Sequence, residues 1–348
     1  MSAVSTKKKM RAALIEAKEK IRIVETGIPQ PVLNEVLIEV FVSGICGTDL
    51  HIYKGDYKGT YPIIPGHEFS GVVRFAGPDV RSFKSGDRVA VEPNLSCGSC
   101  YECLNNRQHY CENVQSVGVT RSGAMAQFVT APEGAVFNIG DLSFEEASFM
   151  EPLSCVLHGV ERFKLELADR VLLIGAGPIG LLLLQSLLLT GCSRVDVADL
   201  DPDRLETAKR FGAAKTFINL NDVPREYYHK VCDATGATAV LEQTVDFVKS
   251  SGTVLWFGVP NVQAEVRVSP FTLFAREITI LSTYTSLRNS WQALYLLQEG
   301  RIKVKELISH RLSLHEFEKG LKILETHSEP AMKILILPQE RSCRRSSR

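Results

Sequence analysis

Residues 170–191, RVLLIGAGPIGLLLLQSLLLTG, limit what this chain can fold into more than any other stretch. An apolar run of strand length ends in Gly175-Ala176-Gly177-Pro178-Ile179-Gly180, and a leucine-rich run of helix length follows. Alone, G-x-G-x-x-G is a weak signal. Between a buried strand and an apolar helix it stands in the context it requires. Gly175 permits a tight turn, Gly177 lets a pyrophosphate approach the backbone, and Gly180 lets helix and strand pack closely. Pro178 and Ile179 open the helix, whose N-terminal N–H groups favour phosphate. The next apolar run ends at Val197-Ala198-Asp199, about 20 residues past Gly180. A carboxylate there accepts from ribose hydroxyls and repels a 2′-phosphate, which favours NAD over NADP. Arg204 reads either as a surface residue of the following helix or as a cover over the adenine.

The alternation continues through DPDRLETAKRFGA, KTFINL, AVLEQTVDFVKSSGTVLWFGV and REITILSTY. Strands that alternate with helices predict βαβ units and a doubly wound parallel sheet, here over residues 158–290. Few residues separate KTFINL from VCDATG, so that crossover is expected to be shortened. The earlier sequence has another texture. EVLIEVFVSGI (35–45) and GDRVAVEP (86–93) read as short strands between glycines and prolines. Around 145–160 the spacing turns helical, with acidic residues at the start. Residues 1–9 and 339–348, the latter with Cys343, read as disordered tails.

A second constraint lies in CGSCYECLNNRQHYC, where Cys97, Cys100, Cys103 and Cys111 follow a C-x2-C-x2-C-x7-C spacing. Four thiolates suit a tetrahedral zinc whose shell is closed to substrate. The spacing fits the ferredoxin patterns poorly. Only Arg107 adds positive charge between the first and last cysteine, so a nucleic-acid-reading finger is disfavoured and a structural metal is expected. Lys plus Arg number 40 and Asp plus Glu 40, a balance that argues against nucleic acid or an anionic membrane as partner. The most apolar stretch is the glycine-broken strand and helix already described, so no membrane span is expected. MSAVSTKKKM has no apolar run behind its lysines, unlike a secretory signal. A cytoplasmic, reducing setting is therefore expected, with thiols serving as ligands or core residues.

Two further motifs carry metal-ligand chemistry: GICGTDLHIY (44–53) and PGHEFSGVVRFAGPDV (65–80). Cys46, His67 and Glu68 offer sulfur, nitrogen and oxygen, a mixture suited to a catalytic zinc with an open position. Each alone has a bland reading, and spacing does not join them. Residues 66–80 fit the signature G-H-E-x2-G-x5-G-x2-V at Gly66, His67, Glu68, Gly71, Gly77 and Val80. With the cysteine lobe and the glycine motif, the chain from Met10 to Pro338 resembles the zinc-dependent medium-chain dehydrogenases, which are alcohol dehydrogenase-like.

That resemblance implies an α/β protein. A GroES-like strand-rich catalytic domain would occupy 10–157 and 291–338, with a structural zinc lobe at 92–113, and a Rossmann NAD-binding domain would occupy 158–290. It implies two zincs per chain, the catalytic one on Cys46 and His67. The third ligand is left open between Glu68 and Glu151, bound directly or through water. Thr48 and His51 resemble the family's proton relay. Cys155, one helical turn beyond Glu151, is expected to be a core thiol. E-P-L-S at 151–154 and Pro93-Asn94 resemble the sorbitol (polyol) dehydrogenase branch, which implies hydride transfer from a secondary alcohol of a polyol to NAD. Cys46–Tyr53 is also similar to threonine 3-dehydrogenases. Sugar-phosphate or cyclitol oxidation, and a non-catalytic cofactor-binding protein, are further alternatives. Tyr53, Tyr284 and Asn289 read equally as substrate contacts or as packing. A homodimer or homotetramer is implied, with REITILSTY as the pairing edge.

Overall fold

The computed structural model describes residues 9–56 and 60–339; the remainder of the expected tails, with Cys343, lies outside the described residues. The chain forms two compact units, one running to Glu151 and resuming at Ser290, the other Pro152–Asn289.

The first unit opens with the hairpin β1 (Lys9–Ala17) and β2 (Lys20–Gly27), so Lys9, expected in the leading tail, is paired in a strand. Next come β3 (Glu35–Gly44), α1 (Gly47–Lys54), β4 (Glu68–Ala76), β5 (Arg88–Val91), β6 (Asn94–Leu95) and α2 (Tyr101–Leu104). Then follow β7 (Gln115–Ser116), β8 (Phe128–Pro132), β9 (Val136–Asn138) and α3 (Phe144–Ala147). Ser143 caps α3 through a reciprocal Ser143–Glu146 box, and the helical run expected around 145–160 breaks before α4 (Met150–Phe163).

The second unit is the alternation read from the sequence. Its strands are β10 (Arg170–Ile174), β11 (Arg194–Ala198), β12 (Lys215–Phe217), β13 (Tyr228–Asp233), β14 (Val248–Trp256) and β15 (Thr279–Ser282). Its helices are α5 (Pro178–Leu189), α6 (Pro202–Arg210), α7 (Thr238–Phe247) and α8 (Pro270–Arg276). All pairings in this sheet are parallel, in the order β12-β11-β10-β13-β14-β15. The reversal of direction falls beside β10, where the glycine turn sits, and ligands of such sheets bind at that switch point. A single 3-10 turn, Leu220–Asp222, is the only helical element between β12 and β13, the shortened crossover. Helix α5 is apolar on all sides because Leu181–Leu184 and Leu187 are all fully buried. No helix among the described residues is long and apolar enough to cross a membrane.

The chain returns to the first unit with α9 (Ser290–Gln298), β16 (Ile308–Ser313), α10 (Phe317–Thr326) and β17 (Lys333–Leu337). The last two strands extend the main sheet to the order β16-β17-β3-β4-β5-β9, with β8 also on β3. Gln339, expected in the trailing tail, donates to the carbonyls of Val40 and Gln127. One core of this unit gathers Ile15, Ile52, Tyr53, Phe317 and Ile334; another gathers Val36, Phe69, Val89 and Val129.

Candidate metal centres and cofactor turn

The pairing of β3 with β4 sets Gly44 opposite Glu68. Cys46, two residues beyond β3, is the N-cap of α1, and His67 and Glu68 stand where β4 begins. One atom from each of Cys46, His67 and Glu68 lies within 4.8 Å of the others, with His67 and Glu68 buried. Asp49, fully buried, ties the two segments: Oδ2 accepts from Cys46 N–H (2.9 Å) and Oδ1 from Gly66 N–H (3.2 Å). Gly66 is required there. Its φ is +95°, and an added Cβ would fall 2.7 Å from the backbone nitrogen of Met125.

The electrostatics of this pocket are those of a cation site. Burial of His67 opposes its protonation, yet the Asp49 carboxylate and Cys46 sulfur outweigh that and hold its pKa well above the usual value. His67 Nδ1 lies 3.6 Å from Asp49 Oδ1 and, though buried, makes no hydrogen bond. Glu151, second residue of α4, is also buried and lies outside the three-residue cluster. Burial pushes its carboxyl up to about 7, His67 opposes the rise, and Glu68 and Glu92 add to it. Lys333, first residue of β17, is buried and ion-paired with Glu68 Oε2. Burial works against its charge, but Glu68 and Cys46 more than restore it, so its pKa is raised. A sulfur, a nitrogen and an oxygen held this closely, with one buried nitrogen unpartnered, fit a zinc with an open position.

Thr48 and His51 are three residues apart on α1, so they share one face of it. His51 Nδ1 is 2.9 Å from Asp56 Oδ1, and both side chains are about one-third exposed (31% and 32%). Asp49, Asp56 and Lys333 were not singled out from sequence. For Lys333 a signal existed: a lysine heading the apolar run Ile334–Leu337.

In the lobe, Cys97 Sγ lies 4.0 Å from Cys103 Sγ, and Cys100 Sγ lies 3.9 Å from Cys111 Sγ. Four thiolates at about 2.3 Å from one zinc stand about 3.8 Å apart, close to these two separations, and all four sulfurs lie within 4.8 Å of one another, so the cluster fits the ion. Backbone N–H groups already point at the sulfurs, among them Cys97 to Cys111 Sγ (3.3 Å) and Cys100 to Cys97 Sγ (3.4 Å). Donation from the Ser99 and Cys100 backbone lowers the Cys97 thiol to about 5.

In the second unit, Gly175 takes φ +103° and an added Cβ on Gly180 would fall 1.9 Å from the Gly175 carbonyl oxygen. Gly177 is the N-cap of α5, Pro178 its first residue and Ile179 the second. Asp199 is tied to this turn: Oδ2 accepts from Ala176 N–H (2.6 Å) and Oδ1 from Asp201 N–H (2.8 Å). Each oxygen keeps a lone pair for a ribose hydroxyl. Arg204 reaches over the turn, 4.0 Å from where a Cβ on Gly177 would be, and pairs with Asp201 (3.5 Å). Tyr53 belongs to the core, and Asn289 donates to Glu161 while accepting from Leu287 N–H. Tyr284 is half-exposed in the second unit. Cys155 is only partly buried. The lobe geometry predicts that Cys103→Ser lowers zinc content from two ions per chain to one, while the ion at Cys46 and His67 is retained; elemental analysis of the purified variant reads this directly.

Comparison with known proteins places these features. Residues 33–141 match the alcohol dehydrogenase GroES-like domain, and residues 178–299 match the zinc-binding dehydrogenase domain. D-arabinitol dehydrogenase 1 of Uromyces fabae is 31% identical, over 94% of this chain and 97% of its own length. D-altritol 5-dehydrogenase of Agrobacterium fabrum is 35% identical, over 87% of this chain and 93% of its own. A zinc-binding dehydrogenase from Sinorhizobium meliloti 1021, solved with NADP bound, superimposes with a TM-score of 0.90 at 30% identity, covering 95% of this chain and 100% of that one. The chain belongs to the zinc-dependent medium-chain dehydrogenases, in their sorbitol and polyol dehydrogenase branch.

Proposed function

We propose that the protein oxidises a secondary alcohol of a polyol to a ketose with NAD. The observation that carries this reading is the Cys46–His67–Glu68 cluster, with Glu151 buried beside it. In this reading Cys46 and His67 hold the catalytic zinc, with Glu68 as third donor and Glu151 near it, and Cys97, Cys100, Cys103 and Cys111 hold the structural one. When bound, zinc at the first site would supply Lewis acidity toward the substrate hydroxyl, and NAD would supply the hydride acceptor. The chain's own residues handle the proton. Thr48 is the hydroxyl next to Cys46 in the helix, and His51 lies one turn along the same face. Asp56 holds His51 by Nδ1, which leaves Nε2 to receive a proton and, at 31% exposure, to release it to water. Gly175, Gly177 and Gly180 shape the turn for the pyrophosphate, with the N-terminus of α5, Pro178 and Ile179, behind it. Asp199 serves the adenosine ribose and disfavours NADP, in contrast to the NADP bound by the Sinorhizobium relative. Arg204 covers the adenine side of the turn.

The thiolate lobe needs reduced cysteines, which supports a cytoplasmic setting. A second copy of the chain is the expected partner. Strand β15 ends the six-stranded sheet, and Phe271 and Phe274 on the neighbouring α8 are 75% and 80% exposed.

NADH formation across pentitols, hexitols, cyclitols, threonine and simple alcohols tests the substrate class. Turnover of a polyol far above threonine, and of NAD far above NADP, is expected; threonine as the preferred substrate would contradict it. For the assembly, light scattering should find a dimer or tetramer in the unaltered protein and a smaller species in Phe271→Glu/Phe274→Glu. An unchanged mass would assign the contact elsewhere.

A further inference from the structure

Three adjacent strands, β17, β3 and β4, meet beside the Cys46–His67–Glu68 cluster. Gly44 pairs with Glu68 across β3 and β4, and Leu335 of β17 pairs with Gly44 from the other side. Lys333, two residues before Leu335, shares its face of the sheet. Its ammonium meets Glu68 Oε2 with both side chains almost wholly buried, 7% and 1% exposed. Room for the pair exists because position 44 is glycine: a Cβ there would fall 2.4 Å from Glu68 Oε2 and 2.9 Å from Lys333 Cε. The rest of β17 is Ile334-Leu335-Ile336-Leu337, so an apolar residue at 333 would suit the strand alone. Buried ion pairs are seldom more stabilising than apolar residues of the same volume, so stability does not account for this one.

We propose that Lys333 is a positioning residue of the catalytic centre: it holds Glu68 by Oε2 and offsets that carboxylate's charge, fixing how Glu68 presents Oε1 to zinc. The proposal rests on the metal reading of Cys46, His67 and Glu68 above. The carboxyl groups facing this centre are those of Glu68, Glu151 and Asp49, with the Cys46 sulfur, and the Lys333 ammonium is set against them. Without Lys333, Glu68 would lose both its anchor at Oε2 and its compensating charge, and the more negative site would make a bound zinc a weaker Lewis acid. Partners that orient ligands in this way typically change metal affinity or activity by about 10- to 100-fold when removed.

The test is cobalt substitution at the catalytic site in full-length protein, read by the visible d–d bands, with steady-state kinetics alongside. Lys333→Met is expected to keep both metals, shift the cobalt bands and lower kcat by about 10-fold or more. Lys333→Arg is expected to keep the unaltered spectrum, and the double variant E68Q/K333M to recover part of the rate lost in K333M. Should methionine at this buried place prevent folding, Lys333→Gln keeps a donor and removes the charge, and the same band shift is expected. Cobalt bands in Lys333→Met or Lys333→Gln identical to those of unaltered protein would overturn the proposal. The spectrum needs no substrate, so failure of every polyol to react leaves this arm decisive. Unaltered protein with one metal per chain would remove the catalytic site itself, and the proposal with it.

Discussion

The antiparallel pairing of Glu35–Gly44 with Glu68–Ala76 is the constraint on which the rest of the site depends. It brings the end of one strand against the start of the next, so residues just past each end are neighbours whatever the intervening loop does. Cys46 lies past the first end, His67 just before the second start, and Glu68 opposite Gly44. Asp49 closes the arrangement with backbone bonds to both segments. Strand β17 adds Lys333 from the far end of the chain. The sheet thus carries Glu68 and Lys333 and sets the strand ends beside which Cys46, Asp49 and His67 lie, while Glu151 arrives on α4.

The glycine motif and the four cysteines were legible because each is local. A turn between a strand and a helix, or four ligands on one short loop, needs no knowledge of distant packing. The glycines of the G-H-E signature have equally local causes: Gly66 adopts a left-handed φ, and Gly71 lies so near the Glu39 carbonyl that an added Cβ would come within 2.0 Å of it. Joining Cys46 to His67 required either the fold or the family resemblance. Asp49 and Asp56 sit inside or beside motifs already singled out, but what a carboxylate binds depends on which way it turns. For Lys333 the sequence offered only an odd lysine at the head of an apolar run; its partner Glu68 is on a strand two places away in the sheet, which only the fold reveals. Tyr53, in a hydrophobic core, and Asn289, bonded to Glu161, have packing and hydrogen-bond partners that their positions in the sequence did not reveal.

The two cysteine-bearing sites divide their work by coordination. In the lobe all four donors are thiols from one loop, already spaced for a single ion, so nothing remains for a substrate to occupy. At Cys46 the donors differ in kind and come from separate segments, the make-up that suits a zinc with an open position. Glu68, Glu151 and the fully buried Asp49 surround His67 with carboxyl groups, a setting that suits a cation. In the parallel sheet of the other unit, the conformation of the glycine turn is set by Gly175, Gly180 and the Asp199 bond to Ala176.

An anomalous difference map at the zinc edge, from crystals of the protein grown with zinc, tests the central claim most directly. The account predicts two peaks per chain, one among the four cysteines and one within bonding distance of Cys46 Sγ and a His67 ring nitrogen. A single peak, in the cysteine lobe alone, would contradict it.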